Sequence, residues 1–88
     1  MASLTKETAR RLGIQEDEKG VLVTEVEPGG KGDRAGIRTA DVIKEINRKR
    51  VGSLKEYKKL LGKFDKGDEF SLLIKRPNVG YLAIKLEK

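Results

Sequence analysis

Ser3, Ser53 and Ser71 are the hydroxyls that a hydrolase built on this chain would have to activate, and the sequence places no base beside them. Histidine is absent, so a Ser-His-Asp relay cannot be assembled within the chain. Cysteine is absent too, which removes thiolate nucleophiles, thiolate metal sites and disulfides. A serine–lysine dyad has no support beyond the general abundance of lysine. Carboxylates fall in loops and alternate with basic residues, so neither a paired acid and base nor a metal cluster stands out. Gly29, Gly30 and Gly32 raise the question of a phosphate cradle. Their spacing fits neither G-x-G-x-x-G nor a Walker loop, and no strand–helix–strand unit follows; they read as turn residues. The expectation is no catalytic residue, no metal ligand and no cofactor.

Charge suggests a different chemistry. Twenty Lys and Arg against fourteen Asp and Glu give a net charge of +6, which invites a nucleic-acid or acidic-membrane partner. No window holds five like charges in a row, and acidic residues interrupt each basic cluster, as at Lys44-Glu45, Lys55-Glu56 and across residues 63–68. With two Phe, two Tyr and no Trp, a base-stacking platform is poorly supplied. No apolar stretch approaches a membrane span or a signal-peptide core, so a targeting segment of an exported parent would lie outside this piece. The expected partners therefore include no nucleic acid, and no membrane insertion is expected.

Eighty-eight residues suit one domain spanning 1–88, with residues 1–3 a cut edge. A chain of this size buries roughly 60–65% of its unfolded surface. Thr5 is placed to cap a short helix running to Leu12, with Glu7 early, Arg10 and Arg11 late, and Gly13 as the stop. Residues 15–19 read as a solvated charged loop. Residues 21–26 are nearly continuous in aliphatic side chains, as in a strand covered on both faces. Pro28 to Gly30 turn the chain, residues 32–35 make one helical turn and Gly36 takes the left-handed position. Residues 42–46 form the next strand, reversed at Asn47 into a short strand at 49–51. Ser53 and Glu56 make a capping box. Leu54, Tyr57, Leu60, Leu61 and Phe64 then lie on one face of a helix. Phe70, Leu72 and Ile74 alternate along a strand, residues 77–80 turn, and Leu82, Ile84 and Leu86 point one way along the last strand. The sum is an α+β half-barrel with one long helix and an exposed edge groove beside it.

The segments GVLVTEVEPGG, AGIRTADVIKEIN, VGSLKEYKKLL and KGDEFSLLIKR, led by LTKETARRLGI, resemble the PDZ domains of bacterial HtrA/Deg-type serine proteases. The resemblance runs from Leu4 to Leu86, and AGI..ADVI..IN is its most diagnostic part. It implies a PDZ-like fold of the permuted bacterial type, a partly open β-barrel or sandwich of four to five strands with one long and one or two short helices. The implied activity is capture of extended C-terminal or exposed hydrophobic peptide segments as an added strand. Carried over by position, the helix over 53–61 is the groove wall. Tyr57 and Leu60 are its main contacts, or Leu61 if the helix is rotated, with Ser53 at the mouth. Ser3 and Leu4 are the remnant of the strand that pairs with the peptide. Tyr57 is equally readable as a core aromatic, while Leu60 and Leu61 are core by default and only the resemblance raises them toward groove lining. The sequence departs from the family in three places: the carboxylate-binding loop ahead of the leading strand is missing, Ala40 stands where the family has Gly, and Arg48 replaces the usual Gly after Asn47.

The main expectation is thus a non-catalytic peptide-binding module of a larger extracytoplasmic, periplasmic protease, with sister domains of that protease as further partners. The alternative is a structural docking domain for inter-domain or self-association contacts. The isolated domain is expected to be a monomer, with self-pairing at its truncated edge as the route to association.

Overall fold

The computed structural model describes residues 1–15 and 18–88. Glu16 and Asp17, part of the loop expected at 15–19, lie outside the described residues. The elements in order are β1 (Ala2–Ser3), α1 (Lys6–Arg11), β2 (Val21–Leu22), α2 (Lys31–Ala35), β3 (Val42–Ile46), β4 (Lys49–Arg50), α3 (Leu54–Leu61), β5 (Glu69–Arg76) and β6 (Gly80–Glu87). All strand pairs are antiparallel. The sheet order is β1-β2-β3-β5-β6, with β4 paired to β3 off that path. The described residues form six strands where four to five were expected, because the two-residue β1 pairs with β2 as well. No helix among the described residues is long and apolar enough to cross a membrane.

Local signals fix the helix ends. Thr8 N–H donates to Thr5 Oγ1 at 3.1 Å. After α1, Gly13 N–H donates to the Arg10 carbonyl and Ile14 N–H to the Ala9 carbonyl, the paired bonds that close a helix through a left-handed residue; Gly13 has φ +73°. Gly36, at φ +99°, closes α2.

The core is a single cluster in which Val21, Val23, Ile43, Ile46, Leu72 and Ile74 are almost wholly shielded, with Tyr57 and Phe70 beside them. Alternation along β5 buries Phe70, Leu72 and Ile74. Leu22 and Val42, a cross-strand pair, are buried outside that cluster, so β2 is covered on both faces as its aliphatic run implies. That strand is nonetheless shorter than the expected 21–26. Val23 still exchanges bonds with Ala40 and Asp41, but Thr24 and Glu25 are exposed and outside any strand. The turn at Pro28 leads the chain off the sheet, and β-branched side chains alone do not hold it there.

Close approach explains one glycine. A Cβ on Gly20 would stand 2.6 Å from the Ile43 carbonyl oxygen and 2.7 Å from Val42 Cγ1, so β2 reaches β3 only without a side chain at this position.

Two charged contacts carry long-range information. Asp41 is 1% exposed. Arg76 Nε and Nη2 donate to its two oxygens, each at 2.9 Å, and Arg38 N–H donates to Oδ2. Arg76 also donates to the Gly36 carbonyl. Glu18 corrects the picture of a solvated loop. Its side chain is 10% exposed and bridges Lys44 at 2.6 Å and Lys75 at 3.4 Å. Lys44 sits where the β3–β5 register shifts between Ile43 and Glu45, a bulge of the kind that re-aims a side chain.

The hydrogen bond from Lys44, opposed by burial and aided by the charges of Lys44 and Lys75, holds the Glu18 carboxyl below its usual range. Its stabilisation is therefore complete above about pH 4.5 and is lost as pH falls through the lowered folded value. Urea unfolding followed against pH should show Glu18→Gln less stable than the parent at neutral pH and less sensitive to acid below about pH 4.5; parallel curves would refute the bridge. Arg48 holds φ +68°, a left-handed conformation that costs a residue with a Cβ about 1–2 kcal/mol. Glycine removes that strain but adds chain entropy on unfolding, so Arg48→Gly should gain up to about 1 kcal/mol in the same assay.

Candidate functional site

β1 is one end of the sheet. It pairs with β2 through Ala2↔Leu22 and Ser3↔Val21, and Leu4 N–H extends the pairing to the Gly20 carbonyl at 3.0 Å. On its other side no strand among the described residues pairs with it, and α3 lies against it. Leu54 N–H, at the start of α3, donates to Ser3 Oγ at 2.8 Å. A strand edge and an eight-residue helix are thus held side by side by a bond across the seam.

The helix is fixed at both ends. Glu56 N–H donates to Ser53 Oγ at 3.3 Å, and Glu56 Oε2 accepts from Gly52 N–H at 3.1 Å. The carboxylate reaches the amide one residue ahead of the cap rather than that of the cap itself. At the far end the Lys88 ammonium donates to the carbonyls of Leu61 and Phe64 at 2.9 and 2.6 Å, where a cation also suits the helix dipole. Phe64 stacks on Phe70 with ring centroids 5.4 Å apart, anchoring the turn after α3 to β5.

Of the residues that the sequence grouped together, the structure sets Tyr57 apart in the core. Ser3 is at the seam, and Ser53 is adjacent to it as the helix cap. Leu4 is half-buried beyond β1. Tyr57 is 7% exposed and part of the core; burial raises its phenol pKa, and its ring offers little surface to a ligand. Leu60 and Leu61 are half-buried and pack on the core's rim. The contact between α3 and β1 is made by the Leu54 amide, which side-chain periodicity does not report.

The other candidate chemistry is already occupied. The Ser71 hydroxyl donates to Asn47 Oδ1 at 3.4 Å, and those of Ser3 and Ser53 accept from the Leu54 and Glu56 amides. Gly29 N–H donates to Asp33 Oδ2 at 2.8 Å, which assigns the glycine corner to a turn. Among the described residues no group of acidic side chains is arranged to hold a metal.

Two solvent-open cavities, each of about 590 Å³, lie elsewhere. One is lined by Glu18, Lys44, Arg50, Leu73 and Tyr81. The other is lined by Leu12, Ile14, Val42, Pro77 and Val79. Gln15 borders both. Neither is lined by Ser3, Leu4, Ser53, Tyr57, Leu60 or Leu61. Leu12, Val79 and Tyr81, all exposed large apolar side chains, gather around these two cavities.

The family profile described as "PDZ domain" matches residues 22–76. The chain belongs to the PDZ family. A PDZ domain is a non-catalytic module. Its homology is to DegP-like proteins: it is 33% identical over 87 residues to a protein of Chlamydia pneumoniae named "Probable periplasmic serine endoprotease DegP-like", covering 98% of this chain and 18% of that protein. A protein of the same name from Chlamydia trachomatis is 34% identical over 77 residues, covering 88% of this chain and 15% of its own length. The chain therefore spans less than a fifth of these relatives. It also matches the solved structure titled "HtrA-type protease AlgW with decapeptide" with a TM-score of 0.84 and 26% identity, over 97% of this chain and 26% of that one. The two glycine departures noted in the PDZ resemblance have a visible meaning: Ala40 has φ +76° and Arg48 φ +68°, the region that glycine occupies without strain.

Ser3→Ala tests the seam of this PDZ domain. It leaves the Leu54 amide without its acceptor and should cost about 1 kcal/mol, with faster hydrogen exchange at Leu54 and little change at Glu56, whose acceptor is Ser53. Unchanged exchange at Leu54 would show that β1 and α3 are not joined there.

Proposed function

We propose that this PDZ domain is the peptide-recognition and regulatory module of an HtrA/Deg-type serine protease, non-catalytic in itself. It takes an extended C-terminal or exposed hydrophobic segment as a strand added to the free edge of β1, beside α3. The observation that carries this reading is the geometry of that seam: an unpaired strand edge held against a helix capped at both ends. Main-chain groups along β1 would supply affinity and the helix side chains selectivity. Solved relatives titled as HtrA-type proteases with a decapeptide or a tripeptide support peptide partners. The names of the DegP-like relatives support an extracytoplasmic, periplasmic setting. Within the groove we assign contacts to Ser3, Leu4, Ser53, Leu60 and Leu61, and give Tyr57 the role of supporting the wall from inside the core.

A second reading, docking against a neighbouring domain or copy, is favoured by the exposed apolar side chains Leu12, Val79 and Tyr81 around the two cavities. One titration separates the two. With isotope-labelled protein and a peptide ending in apolar residues, amide shifts should cluster at residues 2–4 and 53–61. Shifts confined to the surroundings of Leu12, Val79 and Tyr81, growing with protein concentration and indifferent to peptide, would replace recognition with docking.

A further inference from the structure

We infer that the seam between β1 and α3 selects peptides carrying acidic residues, an inference that rests on the peptide-binding reading above. The outward half of α3 presents Lys55, Lys58 and Lys59, all exposed, and Lys63 continues the ridge beyond the cap. The acidic residue within the helix, Glu56, has one carboxylate oxygen committed to the Gly52 amide. Among the described residues, none of these four lysines forms an ion pair. The negative end of the helix dipole does not offset them either, since the Lys88 ammonium already binds the last carbonyls. Lys58 lies one turn from both Leu54 and Leu61, so it stands at the rim where half-buried leucine gives way to solvent.

Length limits how many acidic residues can benefit. An eight-residue helix is about 12 Å long. An extended guest advances roughly 3.3 Å per residue and turns alternate side chains the same way, so about four of its residues run beside the helix and about two face it. Exposed ion pairs of this kind change affinity by about two- to fivefold each, and added salt screens them. The ligand class is therefore a segment with an apolar end and Asp or Glu at alternate positions along the helix.

The test titrates the 88-residue chain with labelled peptides that share one apolar C-terminal end and carry Asp, Ser or Lys at two alternate positions before it. At low ionic strength the Asp peptide should bind at least about fourfold more tightly than the Ser peptide, and the Lys peptide most weakly. The order should collapse towards parity at about 0.5 M salt. Replacing Lys55, Lys58 and Lys59 together by Gln should bring the Asp peptide down to the affinity of the Ser peptide. Equal binding of the three peptides by the parent protein overturns this inference and leaves peptide recognition standing. No binding by any of them overturns both. A preference for Asp that survives the triple substitution, shifts that map to Arg48–Arg50 instead of α3, or displacement of the Asp peptide by a single-stranded oligonucleotide would each reveal a general attraction for anions and overturn the selectivity of the seam.

Discussion

The bond network around Asp41 is the constraint on which the rest of the fold depends. A carboxylate this deeply shielded is tolerable only when its oxygens are filled. They are filled from two parts of the chain, Arg76 at the end of β5 and the Arg38 amide in the preceding turn, and the same guanidinium also donates to the carbonyl of Gly36. Those bonds draw the end of β5, the close of α2 and the start of β3 to one point. Once that corner is fixed, β3 lies between β2 and β5 and the order β1-β2-β3-β5-β6 follows. The carboxylate in turn strengthens the positive charge of Arg76.

Around that corner, the parts of the structure set by near neighbours were legible in the sequence. Thr5 and Ser53 cap their helices, Gly13 and Gly36 end theirs, residues 42–46 form a strand with the expected bounds, and β5 alternates as its side chains require. Each depends on residues no more than a few positions apart. What was not legible depends on distant partners. Asp41 meets a nearby backbone donor at Arg38, but its main partner lies 35 positions away. Glu18 looked like one more solvated charge because Lys44 and Lys75, 26 and 57 positions off, give no local sign of converging on it. The chain leaves the sheet after Val23 although its residue types still favour a strand, because no partner strand remains beside it.

The candidate site divides along the same line. The helix, its cap at Ser53 and the adjoining strand at Ser3 were placed by the pattern and the resemblance. Which way the helix turns was not, since Tyr57, Leu60 and Leu61 share an apolar face that serves equally as core or lining. Packing decides it by placing Tyr57 inside and leaving the leucines at the margin. The lysines on the opposite half entered the sequence reading only as part of a net charge. Their significance comes from position, because charge scattered along a sequence becomes a continuous ridge when it falls on the outer half of one short helix.

The bond from the Leu4 amide to the Gly20 carbonyl also bears on how this scaffold can diverge. It pinches shut an excursion that leaves the sheet after β1 and returns at β2, so the excursion can lengthen or shorten beyond the pinch at little thermodynamic expense. No such freedom exists just past Gly20. Inserting a single residue between Val21 and Val23 would swap the inward and outward faces of the strand. Natural variants of this chain should therefore differ in size before Gly20 and keep strict count after it.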